Sequence, residues 1–312
     1  MKLKGDGNAM SNKYFEFKEL LTPPIKRAAY SDRTAWLMAK MSKLAYLSFE
    51  KDDSELKAAL AEADFELVRI FNREGTQAFL ARRNADKMAV LAFRGTQTEG
   101  ATLERFLDAV ADLYVVMQTD ENGVKVHKGF QQAFKRVEPE VLPAARQLAD
   151  HALYITGHSL GGALALIATS AINSDNLAAC YTFGSPKVGN EEFGEKIKSP
   201  IYRIINAYDI VPFLPFTAIM MPIFWLIPYK INKDKVKTLL ENYKKYLPHG
   251  DLRWLTDVKS DSDAKVQTEC PELNRSLTLL WLTFTHTQAI GVQHHNLDTY
   301  CDKLAHHALK RL

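Results

Sequence analysis

The stretch Leu153–Ile172, LYITGHSLGGALALIATSAI, decides the fold. It opens with a short apolar run, Leu153-Tyr154-Ile155-Thr156, which reads as a buried strand. Gly157-His158-Ser159-Leu160-Gly161 then turns the chain, and small and apolar residues continue as a helix. Strand, tight turn with a serine at its tip, helix is the context that Gly-x-Ser-x-Gly requires. A side chain at 157 or 161 would collide with the neighbouring strand or helix at so sharp a bend. The bend holds Ser159 in a strained conformation with its hydroxyl projecting, at the positive end of the following helix. A chance five-residue match in a turn is the plainer reading. The strand and helix on either side favour a nucleophile.

Working outward, Lys87–Phe93, KMAVLAF, is a continuously apolar strand and so belongs at the centre of a sheet. It runs straight into Arg94-Gly95-Thr96, where a glycine allows a sharp turn. Thr96 there can offer its N–H and its hydroxyl to a developing oxyanion. Taken alone, Arg-Gly-Thr mostly means a turn. Downstream of the serine, Ala178–Phe183 and Ile201–Ala207 are further buried strands, ending in Gly184-Ser185-Pro186 and in the loop that carries Asp209. Strands alternating with helices predict an α/β fold with a mostly parallel sheet flanked by helices, with sites at the strand carboxyl ends. Thr96, Ser159 and Asp209 each follow a strand end, so their loops can converge.

A serine needs a base and an acid, and in this kind of fold the order is Ser, then Asp or Glu, then His. Asp209 can orient an imidazole and stabilise its charged form. A loop-capping role fits its position equally well. The histidines beyond it are His249, His286, His294, His295, His306 and His307. His306 and His307 fall in an amphipathic C-terminal helix and read as solvent-facing. His294 and His295 open that helix, on the loop that returns to the sheet edge. Two adjacent histidines also raise the thought of a metal, but no His-Glu-x-x-His spacing or carboxylate cluster accompanies them.

The rest of the chain reads as support. Residues 1–30 form an irregular N-terminal arm, with Pro23-Pro24 as a stop. Ser31 caps a helix to about Tyr46, and a second helix covers about Ser54 to Ala63. Glu66–Asn72 and Thr76–Arg83 form a hairpin through Arg73-Glu74-Gly75. Thr102–Met117 is an amphipathic helix, either an ordinary surface helix or a mobile cover beside the oxyanion loop. Val126-His127-Lys128-Gly129-Phe130 opens a helix interrupted at Pro139 and Pro143, in which His127 packs or hydrogen-bonds at the start.

Composition sets outer bounds. The chain of 312 residues, 46% hydrophobic and 25% charged, can bury a full core, as one large α/β domain or two smaller ones. A net charge of +3 and the lack of a clustered basic and aromatic face argue against nucleic acid. Cys180, Cys270 and Cys301 are odd in number and far apart, so they make no fully paired disulfide framework, and Cys180 reads as core. The N-terminal MKLKGDGNAMSNKYFEF is not a conventional secretory signal. The expectation is a cytoplasmic protein, a leaderless export route or a longer natural precursor.

Five blocks together carry a resemblance. Phe93-Arg94-Gly95-Thr96, Val126–Phe130, Gly157–Ala165, Phe183–Asn190 and Asn206-x-x-Asp209-Ile210-Val211-Pro212 resemble the class 3, fungal-type triacylglycerol lipases, in the family's order over about Leu67–Leu304. The resemblance implies a single α/β-hydrolase domain over 1–312 and a cofactor-free serine ester hydrolase. It implies Ser159 as nucleophile, Asp209 as acid, and Thr96 with the Leu160 backbone N–H as the oxyanion hole. A helical lid is implied after residue 96. The family's last block resembles Asp-His-x-x-x-x-Tyr. Here it reads His294-His295-Asn296-Leu297-Asp298-Thr299-Tyr300, which puts His295 in the catalytic slot and His294 in place of the usual Asp.

The insert around 210–250 is unusual. Ile210–Tyr229, IVPFLPFTAIMMPIFWLIPY, carries no charge and is just long enough to span a bilayer. Its prolines, and flanks that must both return to one site, argue against spanning. It reads as an acyl-pocket wall or as a surface for a lipid–water interface, with peripheral membrane contact through Phe213–Tyr229 helped by the lysines that follow. Leu277–Phe284 reads as a second pocket wall or flap. Acylglycerols are the expected substrate class; phospholipids, short or feruloyl-type esters, and a non-catalytic lipid-binding role are the alternatives.

Overall fold

The hairpin β1 (Glu66–Arg73) and β2 (Thr76–Arg83) leads into β3 (Met88–Phe93), which is buried along its whole length. The structure is a computed structural model that describes residues 14–23, 29–95, 117–120, 123–213, 246–258, 260–269 and 293–312. β3 pairs antiparallel with β2 on one side and parallel with β6 (Ala152–His158) on the other. Parallel pairing continues through β7 (Leu177–Phe183), β8 (Ile201–Asn206) and β9 (Asp251–Leu255), and β10 (Val266–Gln267) closes the far edge antiparallel. The order of this eight-stranded sheet is β1-β2-β3-β6-β7-β8-β9-β10. A small antiparallel pair, β4 (Met117–Thr119) and β5 (Lys125–His127), stands apart.

The pleat divides the apolar residues between two cores. Met88, Val90 and Ala92 of β3 point into one, with Tyr154, Tyr181 and Phe183 of the next strands. Ala89, Leu91 and Phe93 point into the other, with Leu153, Ile155 and Cys180. Alternation of period two puts each set on its own face. On the first face lie α1 (Asp32–Leu44) and α6 (Leu297–Leu309), packed on one another, with α2 (Ser54–Ala61) beside them. On the second lie α3 (Lys128–Arg146) and α4 (Leu160–Ile172). The short helix α5 (Glu191–Glu195) precedes β8.

Three readings change in detail. α3 runs unbroken through Pro139 and Pro143, which were expected to interrupt it. Both prolines are exposed, so the carbonyls they leave without a helical partner face water. The hairpin turn is two residues, Glu74-Gly75, both with positive φ (46° and 81°), so β1 extends to Arg73. The arm is only partly irregular: Phe15 and Leu20 are fully buried in the first core, and Glu62 accepts from the backbone N–H groups of Tyr14 and Phe15. The expected helix over 102–117, apart from its last residue in β4, lies outside the described residues. So do Thr96, Cys270, His286, Leu277–Phe284 and most of the apolar insert. No described helix is long and apolar enough to cross a membrane.

Candidate active site

Ser159 stands between the end of β6 and the start of α4 with φ 57° and ψ −129°, a conformation few non-glycine residues adopt. Its N–H is held by the Phe183 carbonyl at 3.0 Å. The sharp bend brings backbone against backbone: a Cβ on Gly157 would overlap the Gly161 carbonyl, and one on Gly161 would overlap that of Phe93. Leu160 opens α4, so helical geometry gives its N–H no partner within the helix.

Across the same strand ends lies a buried acid–base pair. His295 Nδ1 and Asp209 Oδ2 are 2.9 Å apart, with His295 3% and Asp209 0% exposed. Asp209 also accepts from the Tyr300 hydroxyl on Oδ2 and from the Val211 N–H on Oδ1 at 2.9 Å. Burial alone would raise this carboxyl. The attraction and hydrogen bond of His295, with the Tyr300 and Val211 hydrogen bonds, outweigh it and hold the group below the usual carboxylate range. The pair therefore sits as a carboxylate aligned on an imidazole Nδ1–H.

Gly184 explains how pair and elbow fit together. Phe183 holds the serine amide, and the next residue, Gly184, has φ 54°. A Cβ there would stand 2.5 Å from Asp209 Oδ2 and 2.9 Å from His295 Nδ1. The β7 loop thus touches Ser159 through one residue and the acid–base pair through the next.

His158, inside the motif, ties the serine strand to the histidine loop. Its Nε2 lies 2.8 Å from the His295 carbonyl, which can only accept, so Nε2 carries the proton. Its Nδ1 then accepts from the Tyr46 hydroxyl at 2.9 Å. Burial, then the neighbouring His295, push its pKa down to about 3, so the ring stays neutral in this tautomer. The two rings stack with centroids 4.4 Å apart.

The adjacent histidine does something else. His294 Nδ1 accepts from the Tyr208 N–H at 3.2 Å, its Nε2 faces Asp257 at 3.7 Å, and its carbonyl accepts from Asn206 Nδ2 at 2.9 Å. It braces the loop, and its neighbour meets Asp209. Asn296 caps α6, with Oδ1 accepting from the Asp298 N–H.

The other histidines lie elsewhere. His249 packs on Phe193 and is 3.2 Å from the Gly189 carbonyl. His127 caps α3 by accepting from the Phe130 N–H at 3.2 Å, and burial lowers its pKa to about 4. His306 and His307, expected to face solvent, are half-buried, and His307 lies 3.7 Å from Asp32 because α6 packs beside the start of α1. Among the described residues no cluster of His, Cys, Asp or Glu is suited to a metal ion.

Residues 90–219 match the family described as Lipase (class 3). Over this segment the chain is similar to the class 3 lipases. The lipase of Rhizomucor miehei is 35% identical over 159 residues, which cover 46% of this chain and 42% of that protein. The secreted mono- and diacylglycerol lipase 1 of Fusarium solani is 31% identical over 176 residues, 52% of this chain and 51% of that protein. The chain thus aligns with about half or less of the length of these curated relatives. The Rhizomucor miehei lipase in its native propeptide complex superposes with a TM-score of 0.57 at 24% identity, over 78% of this chain and 73% of that one. That likeness shows the fold, an α/β-hydrolase.

The class 3 lipase match ends before the histidine loop, and much of what braces that loop was not singled out from sequence. His158, Gly184 and Asn206 stand in motif blocks of the sequence, but their contacts, and any role for Tyr46, come only from the structure. In the sequence Tyr300 marks only a spacing to His295. His158 carried a signal, since it sits inside the serine motif. Tyr46, 112 positions from His158, carried none.

Proposed function

We propose that this chain is a serine ester hydrolase of the class 3 lipase type that cleaves acylglycerols. In this reading Ser159 is the nucleophile, His295 the base and Asp209 the acid, with Thr96 and the Leu160 N–H as oxyanion donors. The observation that carries it is the buried Asp209–His295 hydrogen bond, touched by the same β7 loop that holds the Ser159 amide. The strained elbow and the first N–H of α4 support it.

His295 Nε2 takes the Ser159 proton as Oγ bonds to the ester carbonyl carbon, and the carbonyl oxygen becomes an oxyanion. The intermediate collapses, the C–O bond to the alcohol breaks, and the alcohol leaves with the proton from His295. Water then attacks the acyl-enzyme with His295 again as base, releasing the acid and restoring Ser159. Asp209, held ionised, stabilises the imidazolium through Nδ1–H in both halves. The cycle as written needs no cofactor.

The name of the Fusarium solani relative, a mono- and diacylglycerol lipase, supports glycerol esters as substrates. The charge-free run Phe213–Tyr229 supports contact with a lipid–water interface, although its residues 214–229 lie outside the described part of the structure. We read 1–312 as one hydrolase domain with 1–30 as its arm.

A fluorophosphonate probe should label the protein, and Ser159→Ala should abolish labelling. An unlabelled wild type would leave a lipid-binding role instead. A chain-length series of glycerol esters, with and without emulsion, should show a jump in rate at the interface. A preference for soluble short esters would overturn the lipase reading in favour of an esterase.

A further inference from the structure

Lys303, in the middle of α6, is 2% exposed, and among the described residues no carboxylate lies within ion-pair distance of it. Its ammonium donates to Asn206 Oδ1 at 2.8 Å and to the Thr256 carbonyl at 3.0 Å. Asp261 and Asp257 act on it only at longer range, and burial lowers its pKa. A lysine is rarely buried this way without a paired anion.

Asn206 is the last residue of β8, fully buried, and every polar group it has is engaged. Its N–H donates to the Tyr300 hydroxyl oxygen at 3.0 Å, and that hydroxyl in turn donates to Asp209. Its carbonyl accepts from the Asp209 N–H at 2.8 Å. Its Oδ1 accepts from Lys303, and its Nδ2 donates to the His294 carbonyl. One residue thus meets the acid loop through its backbone and the histidine loop through its side chain.

An amide side chain has two nearly isosteric orientations, and its partners choose between them. With an ammonium on one side and a carbonyl on the other, only one works. Flipped, the NH₂ would face an NH₃⁺ and Oδ1 would face the His294 oxygen. We propose that Lys303 is a positioning residue: its charge locks the Asn206 amide so that Nδ2 holds the His294 carbonyl and with it the placement of His295 on Asp209. The proposal rests on the reading of His295 as the base.

Two single variants test it from opposite sides. Lys303→Met removes the lock. Asn206→Asp keeps, and adds charge to, the contact with Lys303, but sets an oxygen against the His294 carbonyl. Each should lower kcat per fluorophosphonate-titrated site by about ten- to a hundredfold with KM within about twofold, the pattern of misplaced machinery rather than weakened binding. Each should also shift or broaden the low-field proton resonance of His295 Nδ1–H. In a Lys303→Met, Asn206→Ala double variant, kcat should fall no further than in Asn206→Ala alone, because one acts through the other.

Wild-type kcat and an unmoved resonance in folded Asn206→Asp would overturn the proposal. So would additive losses in the double variant, or a Lys303→Met variant whose only change is a lower Tm. If wild type itself is not labelled and hydrolyses no ester, the base assignment fails, while the resonance still reports whether Lys303 sets the place of His295.

Discussion

Gly184 has no room for a methyl group. Its φ is 54°, and a Cβ would press on both oxygen and nitrogen of the Asp209–His295 hydrogen bond. Gly184→Ala should therefore act on chemistry more than on folding. Backbone strain costs on the order of 1 kcal/mol, whereas a displacement of a few tenths of an ångström to 1 Å in the pair costs up to about a hundredfold in kcat. Steady-state kinetics beside a thermal melt will show this, and a variant with wild-type kcat would refute it. At this scale the sequence was readable wherever residue type and chain order constrain chemistry. Ser159 announces itself by its glycines, whereas the choice of His295 over His294 comes from the resemblance to the lipase family's last block and not from residue type or order. The sequence could not show that His294 turns its ring to Tyr208 and Asp257, because side-chain direction depends on the turn before the Asn296 cap. Lys303 and Asn206 were silent for the same reason: their pairing spans 97 positions.

At the scale of elements, α3 shows propensity yielding to packing. Phe130, Phe134, Val137, Val141 and Ala144 bury one face against the sheet, and Pro139 and Pro143 fall on the other. Each proline removes one helical hydrogen bond at a site where water can replace it. Pro139→Ala should restore that bond, and the gain should exceed the loss from a freer unfolded chain. A net stabilisation of about 1–2 kcal/mol, read as a higher Tm with unchanged kcat, is the expected result. An unchanged or lower Tm would mean the ring itself packs. The strands β3, β6, β7 and β8 were legible because each is an apolar run closed by a glycine or a polar loop. β9, Asp-Leu-Arg-Trp-Leu, was not: it is half-exposed and carries charge, and β10 has only two residues. β10 is the edge strand and β9 lies next to it, half-exposed, which leaves little periodic signal in either.

For the whole molecule, buried neutral imidazoles govern the response to acid. His127 is held at about 4 in the fold against an ordinary 6.5, and His158 at about 3. Unfolded, both take up a proton once the pH falls below about 6.5. Folded, they stay neutral to the lower values, so the unfolded chain binds more protons in that window and stability rises with pH across it. Stability present near neutrality is thus lost as pH drops from about 6.5 toward 4, and Asp209 adds to the loss further down. His127→Asn keeps a capping acceptor for the Phe130 N–H but cannot titrate. It should flatten the slope of unfolding free energy against pH by up to about 1.4 kcal/mol per unit between pH 4 and 6.5. Denaturant melts across that range check it, and an unaltered slope would refute it. The α/β layering was legible from the alternation of strands and helices, because a parallel sheet leaves few topologies, whereas the place of the Thr96 loop lies outside the described residues. The insert and the stretch ahead of His295 carry neither periodicity nor motif that fixes a place for them.

The packing of α6 on α1 has a consequence for the order in which the molecule becomes competent. Arg311 of the segment after α6 reaches Asp32 at the start of α1, 279 positions away, and Lys43 of α1 meets Asp298 of α6. The loop bearing His295 is seated on Asn206, Asp209 and His158, 86 to 137 positions back in the chain, and contacts so distant in sequence form slowly because loop-closure entropy must be met first. During refolding, fluorophosphonate reactivity should then appear only after the sheet has formed. A turnover assay would time the last long-range encounter in the chain.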